Sequence, residues 1–508
     1  MNMILTPNVY WLAAPLLALL VFTPLAQMHV GDPLKVRQMA VAGSFYPADP
    51  KVLSATIDEM LAHVSEPPIT DPILAVVAPH AGYPYSGPVA AYTYAQLKGH
   101  KYTRIVIIAP SHYEGFDYTS VYEGDAYATP LGNVLVDKAF AHQLARMSPT
   151  MKLSSQGHDA TPAGGEHAIE VQLPWLQKVL GNFEIVPIIM GDQSYENSRA
   201  LGVALAKLIK ADGKESDTLV LASSDLSHYH PYDDAVTIDH KTLNALQTWD
   251  YFSMSRNFQS RVWEACGGAP IVAAMIYAER MGANQARVLK YANSGDITGD
   301  HSRVVGYSAD VFVKTAGGKA EETPFSLSDP EKKELLALAR KSVENAVQKN
   351  ELYEPPASTS AALNQERGAF VTLSVSGALR GCIGYTSAIK PLYMTVRDMA
   401  THAALHDPRF HPVTASELPS LEYEVSVLSP LRRVTDIQQI KVGEHGLLMK
   451  NGNSEGLLLP QVPVEQKWDR QTFLEQTCRK AQMSSGCWKD DDTDIFSFTA
   501  VVFNEHKL

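Results

Sequence analysis

Histidines follow three of the apolar runs in this sequence, each just beyond the point where the run ends. His80 follows the run 73–78 and His112 follows the run 104–109, both after an Ala-Pro step. A third run is followed by His228. Imidazole is the commonest metal ligand and titrates near neutral pH. Two imidazoles from adjacent strands can share one metal ion, so the repetition predicts a common site.

A carboxylate accompanies the third histidine. Asp225 stands three residues before His228 in the segment SSDLSHY. A histidine positioned beside a reacting group can act as a general acid or base. The pairing therefore predicts His228 as the acid/base, with Asp225 orienting either that ring or the substrate.

A cysteine supplies a candidate third metal ligand. Cys266 precedes two glycines and a helix predicted over 271–281. The helix dipole favours a thiolate at this position, and the glycines allow a metal or substrate to approach the backbone. Two histidines, one anionic ligand and open positions follow the logic of non-haem iron sites. A thiolate also suits zinc or copper, so the donor set leaves the metal's identity open.

Each of these residues also has an ordinary structural explanation. A lone histidine after a strand is usually hydrogen-bonded, and a lone buried cysteine is usually packing. The repeated pattern favours the shared site. Ser111 and His112 could form a nucleophile–base pair, but adjacent side chains rarely face each other. Glu166 and His167, at the start of another predicted helix, either line the crevice or cap that helix.

The elements that must position these residues alternate between strands and helices over residues 36–315. Runs that are apolar on both faces predict strands covered by helices on each side. Such alternation predicts an α/β domain with a mostly parallel sheet, whose ligands lie beyond the carboxyl ends of the strands. The predicted strands are 73–78, 104–109, 184–190, 218–222, 287–291 and 304–313, and the predicted helices are 51–63, 168–180, 198–209 and 271–281.

The remaining sequence predicts a smaller α+β domain over 328–505, after a linker at 316–327. Ser328 and Glu331 have the spacing of a capping box at the start of a helix. Alternating apolar residues then predict strands in a half-exposed, largely antiparallel sheet. These strands are placed at 370–375, 422–428 and 495–503, with helices at 391–404 and 470–481.

Cys382 lies between glycines in this second domain and close to Arg380. A guanidinium beside a thiol would favour the thiolate and bind an anionic substrate. The residues alone favour the other interpretation, a tight strand in which the cysteine simply fits. The acidic run of Asp490, Asp491, Asp492 and Asp494 predicts a solvated turn, since it lacks the spacing of a calcium loop.

Composition limits the classes of function. The chain has 508 residues, a net charge of −12 and 45% hydrophobic residues. These values predict a multidomain globular protein without a large basic face for nucleic acid. Its four cysteines include no CxxC pair. Cys478 and Cys487 could form a disulfide if the protein is exported.

The first 30 residues are treated as separate from the folded domains. Residues 11–26 are apolar throughout, and the first basic residue is Lys35. Three interpretations remain: an atypical export signal, an uncleaved membrane anchor, or a start codon assigned upstream of a true start at Met28. The protein is exported or anchored in the first two cases and cytoplasmic in the third.

Six segments resemble the Memo family, also called AmmeMemoRadiSam system protein B. They are GSFYPADP (43–50), APHAGYPYSG (78–87), APSHYEGF (109–116), EHAIEVQLPWL (166–176), SSDLSHY (223–229) and CGGAP (266–270). The resemblance implies a fold like that of the LigB-type class III extradiol dioxygenases. It implies iron or copper at His80, His112 and Cys266. It further implies that Asp225 and His228 line the pocket and that Phe45 closes one wall. In the dioxygenases a carboxylate stands where this chain has Cys266, so the resemblance does not imply ring-cleaving activity.

Four later segments resemble the AMMECR-type domain, AmmeMemoRadiSam system protein A. They are RGCIG (380–384), HDPRFHPVTASELPSLEYEVSVLSP (406–430), GEHGLLM (443–449) and GLLLPQVPVEQKWDRQTFLEQTCRKA (456–481). The resemblance implies an α+β fold with a cleft near RGCIG, and it suggests Arg380, Cys382, His445 and Gln461 as cleft residues.

The chain therefore resembles a fusion of system proteins B and A. The third component of that system, a radical SAM enzyme, needs a CxxxCxxC motif that this sequence lacks, so it is expected as a separate partner. We expect an Fe(II) or copper centre in a redox or dioxygenase-like protein. The alternative is a non-catalytic metal carrier or interaction scaffold.

Overall fold

The six apolar runs of the first half fold into strands, five of them buried along most of their length. The computed structural model describes residues 33–161, 164–317, 325–386 and 388–506, so the apolar segment 11–26 and much of the expected linker lie outside the described residues. The strands described in this half are β1 (Val36–Arg37), β2 (Ile73–Ala78), β3 (Arg104–Pro110), β4 (Thr119–Tyr122), β5 (Ala126–Tyr127), β6 (Val134–Leu135), β7 (Met151–Ser154), β8 (Ala160–Thr161), β9 (Gly164–Gly165), β10 (Glu184–Met190), β11 (Thr218–Ser223), β12 (His228–His230), β13 (Gln285–Asn293) and β14 (Val304–Val313).

Helices separate these strands, as the alternation predicts. The described helices are α1 (Pro50–Ala62), α2 (Tyr83–Leu97), α3 (Lys138–Leu144), α4 (Leu173–Val179), α5 (Tyr195–Asp212), α6 (Tyr232–Gln247), α7 (Tyr251–Gln259), α8 (Gly268–Arg280) and α9 (Ser294–Thr298). The helix predicted over 168–180 is shorter than expected. It begins as a 3-10 turn at Glu170–Gln172, and Pro174 then lies in the first turn of α4, where a missing N–H costs nothing.

The central sheet is mixed, with a parallel core. Its order is β12-β14-β2-β11-β3-β10-β4-β7 among the described strands, and β13 pairs with β14. The strands β2, β11, β3 and β10 run parallel, while β14 and β4 pair antiparallel at either side. The parallel core brings the carboxyl ends of β2, β3 and β11 to one edge. The segments that carry His80, His112 and Asp225 leave the sheet at that edge.

The second half is α+β with antiparallel sheets, as expected. Its described elements are α10 (Asp329–Lys349), α11 (Ala361–Asn364), β15 (Ala369–Val375), β16 (Ala378–Tyr385), α12 (Leu392–Leu405), β17 (Leu421–Leu428), β18 (Arg432–Arg433), β19 (Gly446–Asn451), β20 (Ser454–Leu458), α13 (Gln461–Glu465), α14 (Arg470–Lys480), β21 (Asp494–Phe498) and β22 (Ala500–Asn504). The capping box of Ser328 and Glu331 forms at the start of α10.

The strand predicted over 495–503 is wrong as a single element. It divides at Thr499 into β21, which pairs with β18 and β19, and β22, which pairs with β17. Two separate sheets result, ordered β16-β15-β17-β22 and β18-β21-β19-β20. The alternation of apolar residues continues through the division, so the local pattern carries no signal of the change of sheet.

The two halves share a hydrophobic core, since the residues from Lys35 onward form one compact unit. Leu448, Phe496 and Phe498 belong to the same buried cluster as Phe252 and Tyr277 of the first half. Cys478 and Cys487 are joined by a disulfide. In the described part of the chain, no helix combines the length and apolarity needed to cross a bilayer.

Candidate metal centre

His80 lies just beyond β2 with its ring fully buried. Its Nδ1 lies 2.8 Å from the Ser223 hydroxyl, which donates to the Ala168 carbonyl at 2.7 Å and accepts from the Gln172 amide at 2.8 Å. Because the single hydroxyl proton goes to Ala168, Nδ1 of His80 must be the donor. Its Nε2 then carries the lone pair that a metal needs. Burial and the charge of His112 lower the pKa of His80 well below its usual value, which favours this neutral form.

His112 lies beyond β3 and is oriented by Glu166. Its Nδ1 is 3.0 Å from a Glu166 oxygen, and its backbone N–H donates to the same carboxylate at 2.7 Å. Burial disfavours the charge on Glu166, but the hydrogen bonds and charge of His112 outweigh it and lower the carboxyl pKa to about 2. Burial likewise opposes protonation of His112, but Glu166 outweighs it and raises the ring's pKa. A carboxylate on Nδ1 is the usual outer partner of a metal-binding histidine.

His167 completes a cluster of three imidazoles. Its ring stacks on that of His112 with centroids 4.8 Å apart, and one nitrogen from each of His80, His112 and His167 lies within 4.8 Å of the others. Nδ1 of His167 is buried and has no hydrogen-bond partner among the described residues. Burial lowers the pKa of His167 to about 4, so the ring is neutral at physiological pH. Glu166 has both roles that the sequence offered, since it contacts the His112 ring and also accepts the backbone N–H groups of His167 and Ala168 at 2.9 Å each.

Cys266 contacts His80. Its Sγ lies 3.0 Å from Nε2 of His80 and accepts a hydrogen bond from the Asp225 N–H at 3.3 Å. Burial, followed by the charge of Asp225, raises the pKa of this thiol well above its usual value. The predicted thiolate is therefore not the stable form without a metal, despite the position of Cys266 directly before α8. A metal cation would supply the missing stabilisation.

Gly267, which follows Cys266, was expected to let a metal or substrate approach the backbone, but it is needed for a contact within the protein. A Cβ on Gly267 would lie 2.3 Å from the Ser223 carbonyl oxygen. The backbone that approaches closely is thus the end of β11 rather than a ligand. This close approach brings the segment that carries Cys266 against the end of β11, where the Ser224 hydroxyl accepts the Gly267 N–H at 2.9 Å.

Asp225 positions the loop of His80 rather than the ring of His228. Its carboxylate accepts the N–H of His80 at 2.8 Å and that of Ala81 at 3.4 Å. Nδ1 of His228 lies 2.9 Å from the Leu226 carbonyl and must donate to it, so Nε2 is the proton acceptor of this ring. No hydrogen bond joins Asp225 to His228 within the described ranges.

Phe45 and Ser111, two further residues considered from the sequence, have the following contacts. Phe45 packs against His167 with ring centroids 4.8 Å apart. Ser111 donates to the Glu114 carbonyl at 2.6 Å and, among the described contacts, has none with the His112 ring. The nucleophile–base pair is therefore not formed.

The donor set suits a transition metal. The two oriented imidazoles, the orphaned His167 nitrogen and the Cys266 sulfur offer imidazole nitrogen and soft sulfur donors at one edge of the sheet, where His80 is buried and the His112 ring is partly exposed. Sequence reasoning did not identify Ser223 and Gln172, because their role depends on which chain segments meet at the sheet edge. The only local signal was the polar segment that ends β11.

The first half of the chain matches a known protein family. The Memo-like protein family matches residues 37–311. The chain belongs to the MEMO1 family. A MEMO1 family protein of Methanopyrus kandleri is 39% identical over 288 residues, which cover 98% of that protein and 54% of this chain. A MEMO1 family protein of Sulfolobus acidocaldarius is 37% identical and is 97% covered.

A second family extends beyond these relatives. The AMMECR1 family matches residues 336–503. Among solved structures, an uncharacterised protein from Pyrococcus horikoshii is 40% identical, with 95% of that chain and 36% of this one covered, at a TM-score of 0.35. This MEMO1 family chain thus continues into an AMMECR1 domain.

In the AMMECR1 domain, Cys382 belongs to a polar row across the sheet. Thr372 donates to its sulfur at 3.2 Å and is paired in register with both Cys382 and Glu424. Gln461 donates to Glu424 at 3.2 Å and continues the row. Burial raises the pKa of the Cys382 thiol, contrary to the thiolate interpretation.

The other two suggested cleft residues lie elsewhere. Arg380 pairs with Glu417 at 2.7 Å instead of approaching the Cys382 sulfur. His445 lines a separate cavity beside Arg432 and Arg433. The structure therefore brings together Cys382 and Gln461, through Thr372 and Glu424, and leaves Arg380 and His445 apart from them.

Proposed function

We propose that this MEMO1 family chain binds Fe(II) in the crevice through His80, His112 and Cys266, with His167 beside them, and supports a redox or dioxygenase-like reaction there. The observation that carries the proposal is the hydrogen bonding of the two histidines. Nδ1 of His80 bonds to Ser223, and Nδ1 of His112 bonds to Glu166. The Nε2 atom of each ring is therefore the one that can bind a metal.

The mixed donor set supports iron and keeps copper as the alternative. Bound iron would supply one-electron chemistry and activation of oxygen at open coordination positions. The chain's own contribution is to hold three imidazoles and one protonated thiol together at the edge of the sheet. Metal binding must release the Cys266 proton, so we expect affinity to rise with pH.

His228 is proposed as the acid/base group of this crevice. Its Nδ1 bond to the Leu226 carbonyl fixes the tautomer, which leaves Nε2 able to accept a proton from a substrate. Asp225 is a positioning residue, since its carboxylate holds the backbone of His80.

Metal content of the full chain tests the proposal. The protein would be purified without oxygen beside Cys266→Ala, His112→Ala and the control His240→Ala, an exposed histidine on α6. We expect near-stoichiometric iron or copper in the parent and the control, and its loss in both crevice variants. Absence of bound metal after reconstitution would contradict the proposal.

Oxygen consumption then separates an enzyme from a metal carrier. An enzyme should consume oxygen with some reductant or cosubstrate and should lose turnover in His228→Ala while it keeps its metal. A protein that exchanges metal rapidly but consumes no oxygen under any of these conditions would be a carrier.

We further propose a separate radical SAM protein as partner. The support is the presence of both the MEMO1 and AMMECR1 families in one chain. Co-purification of the full chain with a co-expressed radical SAM protein from the same genome tests this. Failure to associate at micromolar concentration would contradict it.

For the compartment, we propose export. The Cys478–Cys487 disulfide supports an oxidising environment, in agreement with the export interpretation of residues 11–26. Fractionation of the source cells, with thiol labelling of each fraction, tests it. Recovery of fully reduced protein in the cytosol would contradict export.

A further inference from the structure

A cavity of about 430 Å³ lies between the MEMO1 and AMMECR1 halves, away from the metal centre. It is lined by Lys207 and Lys210 of α5, by Glu279 and Arg280 at the end of α8, and by Arg433 of β18. Its volume is within the range of small-molecule sites. Neither half forms this cavity alone, so any ligand in it would contact both.

The lining is strongly cationic. Four of its side chains carry positive charge and one, Glu279, is acidic. Glu279 lies 3.8 Å from Arg433 and accepts a hydrogen bond from the Tyr251 hydroxyl, so its charge is already matched. The whole chain has a net charge of −12, which makes this concentration of cations unusual in the molecule.

One further carboxylate in the described part of the chain contacts these arginines, and it is shared between them. Among the described residues, Asp494 pairs with Arg199 and Arg280 and lies 3.7 Å from Arg433. One carboxylate therefore serves several guanidiniums. Burial, followed by the charge of Arg433, lowers the pKa of Arg280, as expected where like charges are crowded.

The two lysines of the cavity differ from its arginines in their contacts with the described residues. Within the described ranges, no Asp or Glu oxygen lies within ion-pair distance of the Lys207 or Lys210 ammonium. Lys210 donates to the Arg280 carbonyl at 2.8 Å and so caps the end of α8, which explains that residue without a ligand. Lys207 is an exposed side chain that lines the same cavity, and capping does not explain the approach of Arg433 to Arg280.

We propose that this interdomain cavity binds a small phosphate-bearing anion, held by Lys207, Arg280 and Arg433. Guanidinium and ammonium groups are the side chains that recognise phosphate oxygens. An adjoining cavity of about 300 Å³ shares Arg433 and adds His445, which gives room for the rest of a phosphate ester. Since the site draws on both halves, binding should stabilise their packing.

Calorimetric titration of the full chain tests this site, with inorganic pyrophosphate as the probe and sodium chloride at equal ionic strength as the reference. Lys207→Gln is the main variant, because Lys207 has no carboxylate partner and its loss should not unfold the protein. Lys51→Gln, an exposed lysine on α1, is the matched control. We expect saturable binding that weakens about tenfold in Lys207→Gln and is unchanged in Lys51→Gln, since one charged hydrogen bond is lost.

Three outcomes would overturn the proposal. The first is heat no greater than that of sodium chloride. The second is equal affinity in Lys207→Gln and Lys51→Gln. The third is citrate binding as tightly as pyrophosphate, which would show a general attraction for polyanions in place of a phosphate site.

Discussion

The carboxylate of Asp494, near the end of the AMMECR1 domain, lies 2.9 Å from the guanidinium of Arg280 in the MEMO1 domain. Asp494 is buried, and Tyr195 and Arg199 also contact it. The prediction of a solvated turn is therefore correct for Asp491 and Asp492, which are exposed, but wrong for Asp494. Asp492 is exposed to solvent, whereas Asp494, two residues later, is buried and holds the two halves together.

Substitution Asp494→Asn should destabilise the protein by about 3 kcal/mol, because a half-buried guanidinium cluster loses its buried counter-charge. Urea denaturation followed by circular dichroism measures this. The neighbouring change Asp491→Asn, at an exposed site, should stay within about 0.5 kcal/mol of the parent. Equal midpoints for the two variants would show that the ion pairs do not hold the interface.

Substitution Glu166→Gln should weaken metal binding about 10- to 100-fold, because His112 loses the carboxylate that fixes its ring and raises its basicity. Competition with a calibrated Fe(II) chelator measures the affinity. Glu264→Gln is the matched control, since Glu264 makes the same kind of contact with His230 at 2.9 Å. A similar loss in both variants would argue against a specific role for Glu166.

The buried carboxyl of Asp310 should make stability depend on pH. Burial raises the pKa of Asp310 to about 7 in the folded protein, against about 3.9 in an unfolded chain. Folding therefore favours the protonated form, and stability is full below pH 4 and falls as the pH rises to 7. Asp310→Asn removes this loss, so the variant should gain up to about 4 kcal/mol relative to the parent between pH 4 and pH 8.

Unfolding experiments at pH 4 and pH 8 measure this difference. Asp117→Asn, an exposed carboxylate outside the core, should follow the parent at both values. A constant difference between Asp310→Asn and the parent would mean that Asp310 is ionised throughout.

The Cys478–Cys487 disulfide should stabilise the AMMECR1 domain. It joins residues with a sequence separation of 9, and closure of so short a loop is worth about 2–3 kcal/mol. Cys487→Ser should lose that amount under oxidising conditions, and dithiothreitol should bring the parent close to the variant. Reaction of all four cysteines with maleimide in non-reducing denaturant would show that the bridge does not form.

Much of the candidate site could be predicted from sequence because strand ends place side chains with little freedom. An apolar run buried on both faces must lie inside the sheet, so the residues that follow its terminal proline must lie at the edge. His80 and His112 were found this way, and Cys266 was found from the turn before α8. The hydrogen bonds that set the tautomers of these histidines could not be predicted. Ser223 is 143 residues from His80, and Glu166 is 54 residues from His112.

Local sequence patterns were enough to predict the alternation of strands and helices, the change from an α/β to an α+β arrangement, and the histidines that follow the strand ends. These depend on local periodicity and on where apolar runs end. Tertiary structure alone decided the division of the last strand at Thr499, the burial of Asp494, and the protonated state of Cys266. Each of these follows from which distant segments pack together, since burial and neighbouring charge set strand partners, ion pairs and pKa values.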